Sequence, residues 1–414
     1  MLSFPRPENG HPCFNESSCA KSGRVHLPVA PECNTACNFC NRKFDCPNEG
    51  RPGVSSTILR PEHAVPYLKM LEGQIPLDVV GIAGPGDPLA NPEKVFAALK
   101  LVRKTYPGMA FCMATNGLAL PEHTERIAEL GVGFMTVTVN AATTGTGARI
   151  YRWARWKRKV LRGEEAAGRI LENQLTGIRL LKEAGITVKV NTVLIPGIND
   201  LETEDIADMV RLTGADVMNI LPMLPVADTP FSGIASPTLE ALERARLRAG
   251  TRMKQISHCR RCRADAAGSL ANGLPPEKVA TLLRHAAAYA DKPRVAIASR
   301  EGVLVNQHLG DAGRFLIFAS GDAGPELVEE RTAPPSGCGD SRWTRLCELL
   351  DDCAWVAVTG IGERPREILE SAGVRPVLLS GTVAEVAAGL LRGENCSHLA
   401  VGNFSCAGNG LSCA

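Results

Sequence analysis

The chain has 414 residues, long for one domain and compatible with two or three. Hydrophobic residues make up 44% and charged residues 22%, an ordinary globular balance, and the formal charge of only +2 gives no bulk field for nucleic acid or an anionic membrane. No apolar run reaches the roughly eighteen residues of a membrane span, and "MLSFPRPENG" at the start has no apolar signal core, so a cytoplasmic protein is expected. Fifteen cysteines, an odd number, would there be kept as thiols, and clusters of them read as metal or redox sites rather than disulfides.

In chain order, "RVHLPVA" (24–30) has the pattern of a strand and "PEHAVPYLKMLEG" (61–73) that of a helix with proline near its start. "LDVVGIAG" (77–84), "MAFCMAT" (109–115) and "GFMTVTVN" (133–140) read as further strands, separated by helices at 91–105 and 121–131. The basic stretch "RIYRWARWKRKVLRG" (149–163) could stack on RNA or grip an acidic partner; the favoured reading is a solvated helical face with a few buried aromatics. A long amphipathic helix (164–185) follows, then a strand (186–196), a helix (202–214) and a strand (215–224). Six strands with crossover helices predict an α/β fold built on a parallel sheet curled into a partial (βα)6 barrel, with reactive groups at the strands' C-terminal ends.

Residues 237–290 read as helical and include "HCRRCRADAAG" (258–268). A second, small α/β domain is expected over 293–405. Its strands are "PRVAIAS", "FLIFAS", "AWVAVTG" and "RPVLLSG", with helices at 341–352, 365–373 and 382–393. The domain division is thus 1–290, 293–405 and a Cys/Gly-rich tail, 406–414.

The chemistry concentrates in "VAPECNTACNFCNRKFDCPNEGRPG" (29–53), directly after the first strand. Cys33, Cys37 and Cys40 are spaced C-x3-C-x2-C, and Cys46 follows. Thiolates hold zinc or iron–sulfur clusters. A closed zinc site wants four ligands, whereas three on one loop can leave one iron of a [4Fe–4S] cubane open to a small molecule; burial as plain core residues fits the Asn- and Pro-rich surroundings poorly. This motif after the first strand of a βα barrel resembles the radical S-adenosylmethionine (SAM) superfamily. "GIAGPGDPLANP" resembles that superfamily's glycine-rich SAM segment, which makes Gly84, Pro85, Gly86 and Asp87 candidate cofactor contacts. Asn116, Asn140 and Asn191, at the ends of the third, fourth and fifth strands, are candidates to hydrogen-bond a ribose or carboxylate; a capped strand end is the plainer reading of each.

Further cysteines stand in "HPCF" (Cys13), "FDCPNEGRPG" (Cys46), "FCMATNG" (Cys112) and "HCRRCRADAAG" (Cys259, Cys262), with His26 on the first strand. Arg260, Arg261 and Arg263 flank the last pair and are expected to favour its thiolates. Over residues 11–268 these segments resemble the NifB family of nitrogenase cofactor maturases. The resemblance implies an enzyme of lyase or transferase type with three [4Fe–4S] clusters, one SAM-binding and two substrate. It implies that Cys33, Cys37 and Cys40 hold the SAM-cleaving cluster, that Cys13, Cys46 and Cys112 hold one substrate cubane, and that His26, Cys259 and Cys262 hold the other. Glu49 and Arg51 match a family motif for proton handling or ligand support, and Cys112 joins them as a catalytic candidate. The implied chemistry fuses the cubanes, inserts a carbide from the SAM methyl group and adds one sulfur. Implied partners are a cluster donor and nitrogenase cofactor scaffold or carrier proteins, with no nucleic acid and no membrane.

The second domain, through "GVLVNQHLGDAGRFLIF" with His308, resembles the NifX-type cofactor carriers, which implies a ribonuclease H-like fold and a place to hold product or to dock. Cys396, Cys406 and Cys413 lack a strong ligand spacing. Two rival readings stay open: another radical SAM enzyme with auxiliary clusters, and a non-catalytic iron–sulfur scaffold.

Overall fold

The computed structural model describes residues 4–8, 10–259, 261–290, 292, 294–321, 324–335, 339–392 and 396–401. It divides into two compact units, 1–281 and 282–414.

The strands of the first unit are β1 (Arg24–His26), β2 (Thr35–Cys37), β3 (Val79–Ile82), β4 (Ala110–Thr115), β5 (Val132–Thr138), β6 (Tyr151–Trp156), β7 (Lys159–Leu161), β8 (Thr187–Leu194), β9 (Val217–Pro222) and β10 (Ala267–Gly268). Its helices are α1 (Ala64–Leu71), α2 (Pro92–Thr105), α3 (Leu120–Glu129), α4 (Thr144–Ile150), α5 (Gly163–Glu183), α6 (Thr203–Leu212) and α7 (Leu239–Gly250); α8 (Pro276–Ala290) spans the division. The main sheet has the order β10-β1-β3-β4-β5-β8-β9. Six of its strands run parallel, and β10 is antiparallel to β1 at the edge. This is the partial (βα)6 barrel expected from the alternation of elements. The outward faces of the strands and the apolar stripes of the helices make the core: α2, for example, starts at Pro92 and buries Val95, Phe96, Ala98, Leu99 and Val102.

Two parts of the first unit depart from expectation. The basic stretch 149–163 is not a helical face. After the short α4 it forms a hairpin, β6–β7, whose two-residue turn places Lys157 at φ 44° and Arg158 at φ 67°. Positive φ at both turn residues marks a type I′ turn, and without an Asn-Gly signature the chain gives little warning of it. The hairpin joins β2 in a three-stranded sheet in which Cys37 pairs with Tyr151. The second departure is 251–259 and 261–275, which carry the short β10 rather than helix, because their backbone is spent elsewhere: Ala266 O accepts from His26 N at 2.8 Å, and Cys262 O from Arg51 N at 3.2 Å.

The second unit contains β11 (Arg294–Ala298), β12 (Arg314–Gly321), β13 (Gly324–Thr332), β14 (Cys353–Val358) and β15 (Arg375–Leu378), with α9 (Asp340–Leu349), α10 (Glu363–Ser371) and α11 (Val383–Arg392). The sheet order is β13-β12-β11-β14-β15, with the first three strands antiparallel and the last two parallel to β11. That order and mixture are the ribonuclease H-like arrangement. Sequence reasoning missed β13, "GPELVEERT", because it is a mostly exposed edge strand with no apolar alternation. Cys396 is buried against Leu379, Val383 and Leu390 as a core residue. Cys406, Cys413 and the remainder of the tail lie outside the described residues.

Candidate functional site

The barrel carries two thiol-rich regions. In the first, Cys33, Cys37, Cys40 and Cys46 line one cavity together with Arg42, Asn48, Glu49, Gly86, Asp87, Asn116 and Thr138. Cys37 is held deepest, since its strand pairs with the β6–β7 hairpin and its side chain packs with Phe39, Tyr151 and Ile170. Burial pushes the Cys37 thiol well up, and the neighbouring thiols of Cys40 and Cys33 push it further. The same causes act on Cys46, through burial and then Cys40, Cys33 and Cys37. Such a group ionises only where a metal core takes up its negative charge.

The three loop cysteines fit the expected [4Fe–4S] cluster. Among the described residues no three His, Cys, Asp or Glu side chains converge on a single ion. A cubane asks for no such convergence, because each thiolate binds its own iron. No disulfide links two of the described cysteines.

The Gly84–Asp87 strap packs directly on this loop. Gly86 N donates to Ala30 O at 2.5 Å and Asp87 N to Glu32 O at 2.7 Å. A Cβ on Gly86 would lie 2.0 Å from Glu32 O, so only glycine permits the approach. The glycine thus serves the packing of the strap on the cysteine loop. Asp87 is buried and accepts from Asn116 N (2.6 Å), Leu89 N (2.9 Å) and the Thr115 hydroxyl (3.0 Å); burial holds its carboxyl above the usual range. Arg42 ties the loop to the strap through Pro31 O and Pro85 O.

Of the three strand-end asparagines, Asn116 lines the cavity and donates to Asn34 Oδ1 at 2.7 Å. Asn140 and Asn191 are committed to protein partners. Asn140 donates to Asn48 Oδ1 at 3.2 Å and accepts from Val193 N at 2.8 Å. Asn191 donates to Glu49 Oε2 at 2.9 Å, and Thr138 donates to Glu49 Oε1 at 2.6 Å. Burial raises the Glu49 carboxyl to about 7, with Lys189 pulling it down.

The second region lies in the barrel interior. "HPCF" is a plug. The rings of His11 and Phe14 pack on each other and on Phe134 of β5, with centroids 4.6–5.2 Å apart. Cys13, between them, is thereby carried among the barrel thiols: burial pushes it up to about 11, with Cys262 and Cys259 adding repulsion. His26, Gly81 and Cys112 occupy matching positions on β1, β3 and β4. His26 Nδ1 contacts Arg263 O at 3.0 Å, and burial lowers this histidine to about 4, which keeps it neutral as a metal ligand requires.

The Cys259–Cys262 loop is docked by the "NEGRP" segment. Gly50 bridges Cys262, and Arg51 Nε donates to Arg261 O at 3.0 Å. Arg51 is therefore an exposed clamp on this loop. The guanidinium at Cys262 comes from outside the local motif: Arg24 Nη2 lies 2.8 Å from its sulfur. Arg261 instead donates to Pro222 O, and Arg263 pairs with Asp265 at 2.7 Å; Arg260 lies outside the described residues. Cys46 falls beside Cys33, Cys37 and Cys40, while Cys13 and Cys112 share their surroundings with Cys262.

Sequence reasoning missed Arg24, Arg42, Asn48, Thr138 and Lys189. A lysine inside the apolar strand "TVKVNTVL" was the one available signal.

Residues 27–210 match the Radical SAM superfamily, and residues 291–393 match the family described as "Dinitrogenase iron-molybdenum cofactor". Among solved structures, methylornithine synthase overlaps 56% of this chain and 63% of its own, at 18% identity and a TM-score of 0.39. The FeMo cofactor biosynthesis protein NifB of Chlorobaculum tepidum is 43% identical over 97% of this chain and 98% of its own. Its counterpart in Klebsiella pneumoniae is 40% identical over 88% and 86%. The family implies a [4Fe–4S] cluster and SAM as cofactors, and no helix among the described residues is long and apolar enough to cross a membrane. With its three-cysteine loop on a curled parallel sheet and its carrier-like second unit, this chain belongs to the NifB family, the radical SAM enzymes of nitrogenase cofactor biosynthesis.

Proposed function

We propose that the chain builds the carbide-containing precursor of the nitrogenase cofactor by fusing two [4Fe–4S] substrate clusters, inserting a carbon from the SAM methyl group and adding one sulfur. The observation that carries this reading is the 46–51 loop. It places Cys46 and Asn48 in the SAM-loop cavity and, through Gly50 and Arg51, holds the backbone of the Cys259–Cys262 loop. In this reading a second set of metal-binding groups is built onto the radical-generating site within one barrel. When bound and reduced, the SAM cluster supplies the 5′-deoxyadenosyl radical.

The chain's own groups divide the remaining work. Cys33, Cys37 and Cys40 hold the SAM cluster, and the Gly84–Asp87 strap with Asn116 forms the wall beside it. Cys13, His26, Cys46, Cys112, Cys259 and Cys262 hold the two substrate cubanes. The neighbours of Cys46 favour a seat for its cluster close to the SAM loop; those of Cys13 and Cys112 favour one shared with Cys262. Glu49, steadied by Thr138 and Asn191 and half-ionised near neutral pH, moves the protons released as the carbon loses hydrogen. Arg51 positions the second loop. The second unit acts as a product carrier or docking module, with His308 at a turn packed on Gly360. Cluster donors and cofactor scaffold proteins are the partners this chemistry requires.

The test is anaerobic iron and sulfide analysis with EPR on the reconstituted chain and on Cys259→Ala/Cys262→Ala. Wild type is expected to hold about three cubanes, roughly twelve irons. The double variant should lose one and keep the SAM-responsive cluster, and wild type with SAM and reductant should release deoxyadenosine. A wild type with a single cubane, matched by the variant, sinks the reading; absence of deoxyadenosine would leave a scaffold.

A further inference from the structure

The barrel interior buries three nitrogen groups that neither the motif reading nor the proposed chemistry uses. Lys189 lies on β8, two residues before Asn191 and so on the same inward face, and is only 5% exposed. Its ammonium sits 5.4 Å from the Phe14 ring centroid. The groups that act on its charge are, in order, Cys13, Cys259, Glu49 and Cys112. Arg24, 6% exposed on β1, spends one nitrogen on Cys262 Sγ and another on Gly268 O, and its Nε has no partner. His11, 3% exposed, accepts from Cys13 N at Nδ1, which puts its proton on Nε2; that buried N–H also lacks a partner. Both Lys189 and Arg24 act on His11, so the three share one neighbourhood.

Two buried cations and an unpaired N–H donor gathered in one barrel interior are costly while no anionic partner is present. An anionic, sulfide-bearing guest removes the cost. A thiolate-ligated iron–sulfur cluster carries net negative charge and presents sulfides as hydrogen-bond acceptors. We propose that Lys189, with Arg24 and His11, forms the counter-charge wall that seats the anionic substrate cluster of the barrel interior and raises its reduction potential. Lys189 is a positioning residue here: it ligates no iron and carries out no bond-making step. The inference rests on the reading that the thiols of the barrel interior hold a substrate cluster.

The test compares the full chain with Lys189→Met and Lys189→Arg after the same anaerobic reconstitution. Lys189→Met keeps the bulk and removes the charge. It should lose about four irons per chain, or retain them with a lower EPR-monitored potential. The SAM-responsive signal should remain, and the cluster-free variant should unfold at or above the wild-type temperature, because a buried cation has been replaced by an apolar group. Lys189→Arg should restore iron content or potential. Wild-type iron and potentials in Lys189→Met would overturn the proposal. So would a cluster-free variant that melts below wild type, which would make the lysine a structural partner of Glu49. A wild type that itself holds one cluster would fail the underlying reading instead, and the two failures are told apart by the wild-type iron count.

Discussion

His26 and Cys112 flank Gly81 across three adjacent parallel strands: His26 pairs with Gly81, and Gly81 with Cys112. A Cβ on Gly81 would lie 2.8 Å from Cys112 Sγ and 2.9 Å from His26 Cδ2. The imidazole and the thiol thus close over Gly81 and leave no room for a side chain between them. Gly81→Ala should push both side chains aside, cost about 1–3 kcal/mol in stability, and remove one substrate cluster while the SAM-responsive cluster persists. Iron analysis with EPR, alongside thermal unfolding, checks both effects.

Gly86→Ala should be more damaging, because the atom it meets is backbone. The added carbon would stand 2.0 Å from Glu32 O, and neither the strap nor the cysteine loop can yield without losing the Gly86 N–Ala30 O bond. The expected outcome is loss of SAM binding and of deoxyadenosine formation, with a fall in unfolding temperature. Equilibrium SAM binding to the reconstituted variant is the direct measurement.

Glu49 makes a pH-dependent contribution. Its carboxyl is raised from 4.5 to about 7, chiefly by burial. The folded chain therefore binds this proton more tightly than the unfolded chain. Stability tied to the group is complete below about pH 4.5 and is lost as pH rises through about 7. In the cluster-free protein, Glu49→Gln should gain on wild type across that window, by about 1–3 kcal/mol at the top of it. Denaturant titrations at pH 5 and pH 8 test the sign.

The hairpin turn offers a stabilising change. Lys157 and Arg158 both adopt positive φ, which costs an L-residue about 1–2 kcal/mol. Lys157→Asn with Arg158→Gly suits a type I′ turn and should raise stability by about 1–2 kcal/mol. Because the hairpin carries the strand paired with Cys37 and the turn itself lies away from the thiols, iron content and deoxyadenosine formation should not change.

The barrel was legible because helix-period and strand-period apolar patterns alternate along the first 236 residues, and the three-cysteine loop was legible from spacing alone. The hairpin was not, because its turn lacks the usual residues and its alternation is hidden among arginines and lysines. The edge strand Gly324–Thr332 was missed for a related reason: an exposed strand buries too little to leave a pattern.

What the sequence determined by itself is the set of groups able to hold metal, since thiols and imidazoles are recognisable wherever they stand. What the tertiary structure decided is which of them share a space. Cys13 joins Cys112 only because His11 and Phe14 pack on Phe134 from another part of the chain. Cys262 finds its cation in Arg24, 238 residues away, rather than in the arginines beside it. Local spacing records which side chains can bind; strand register and plug packing, which depend on residues far apart in sequence, set the charge and the neighbours each one meets.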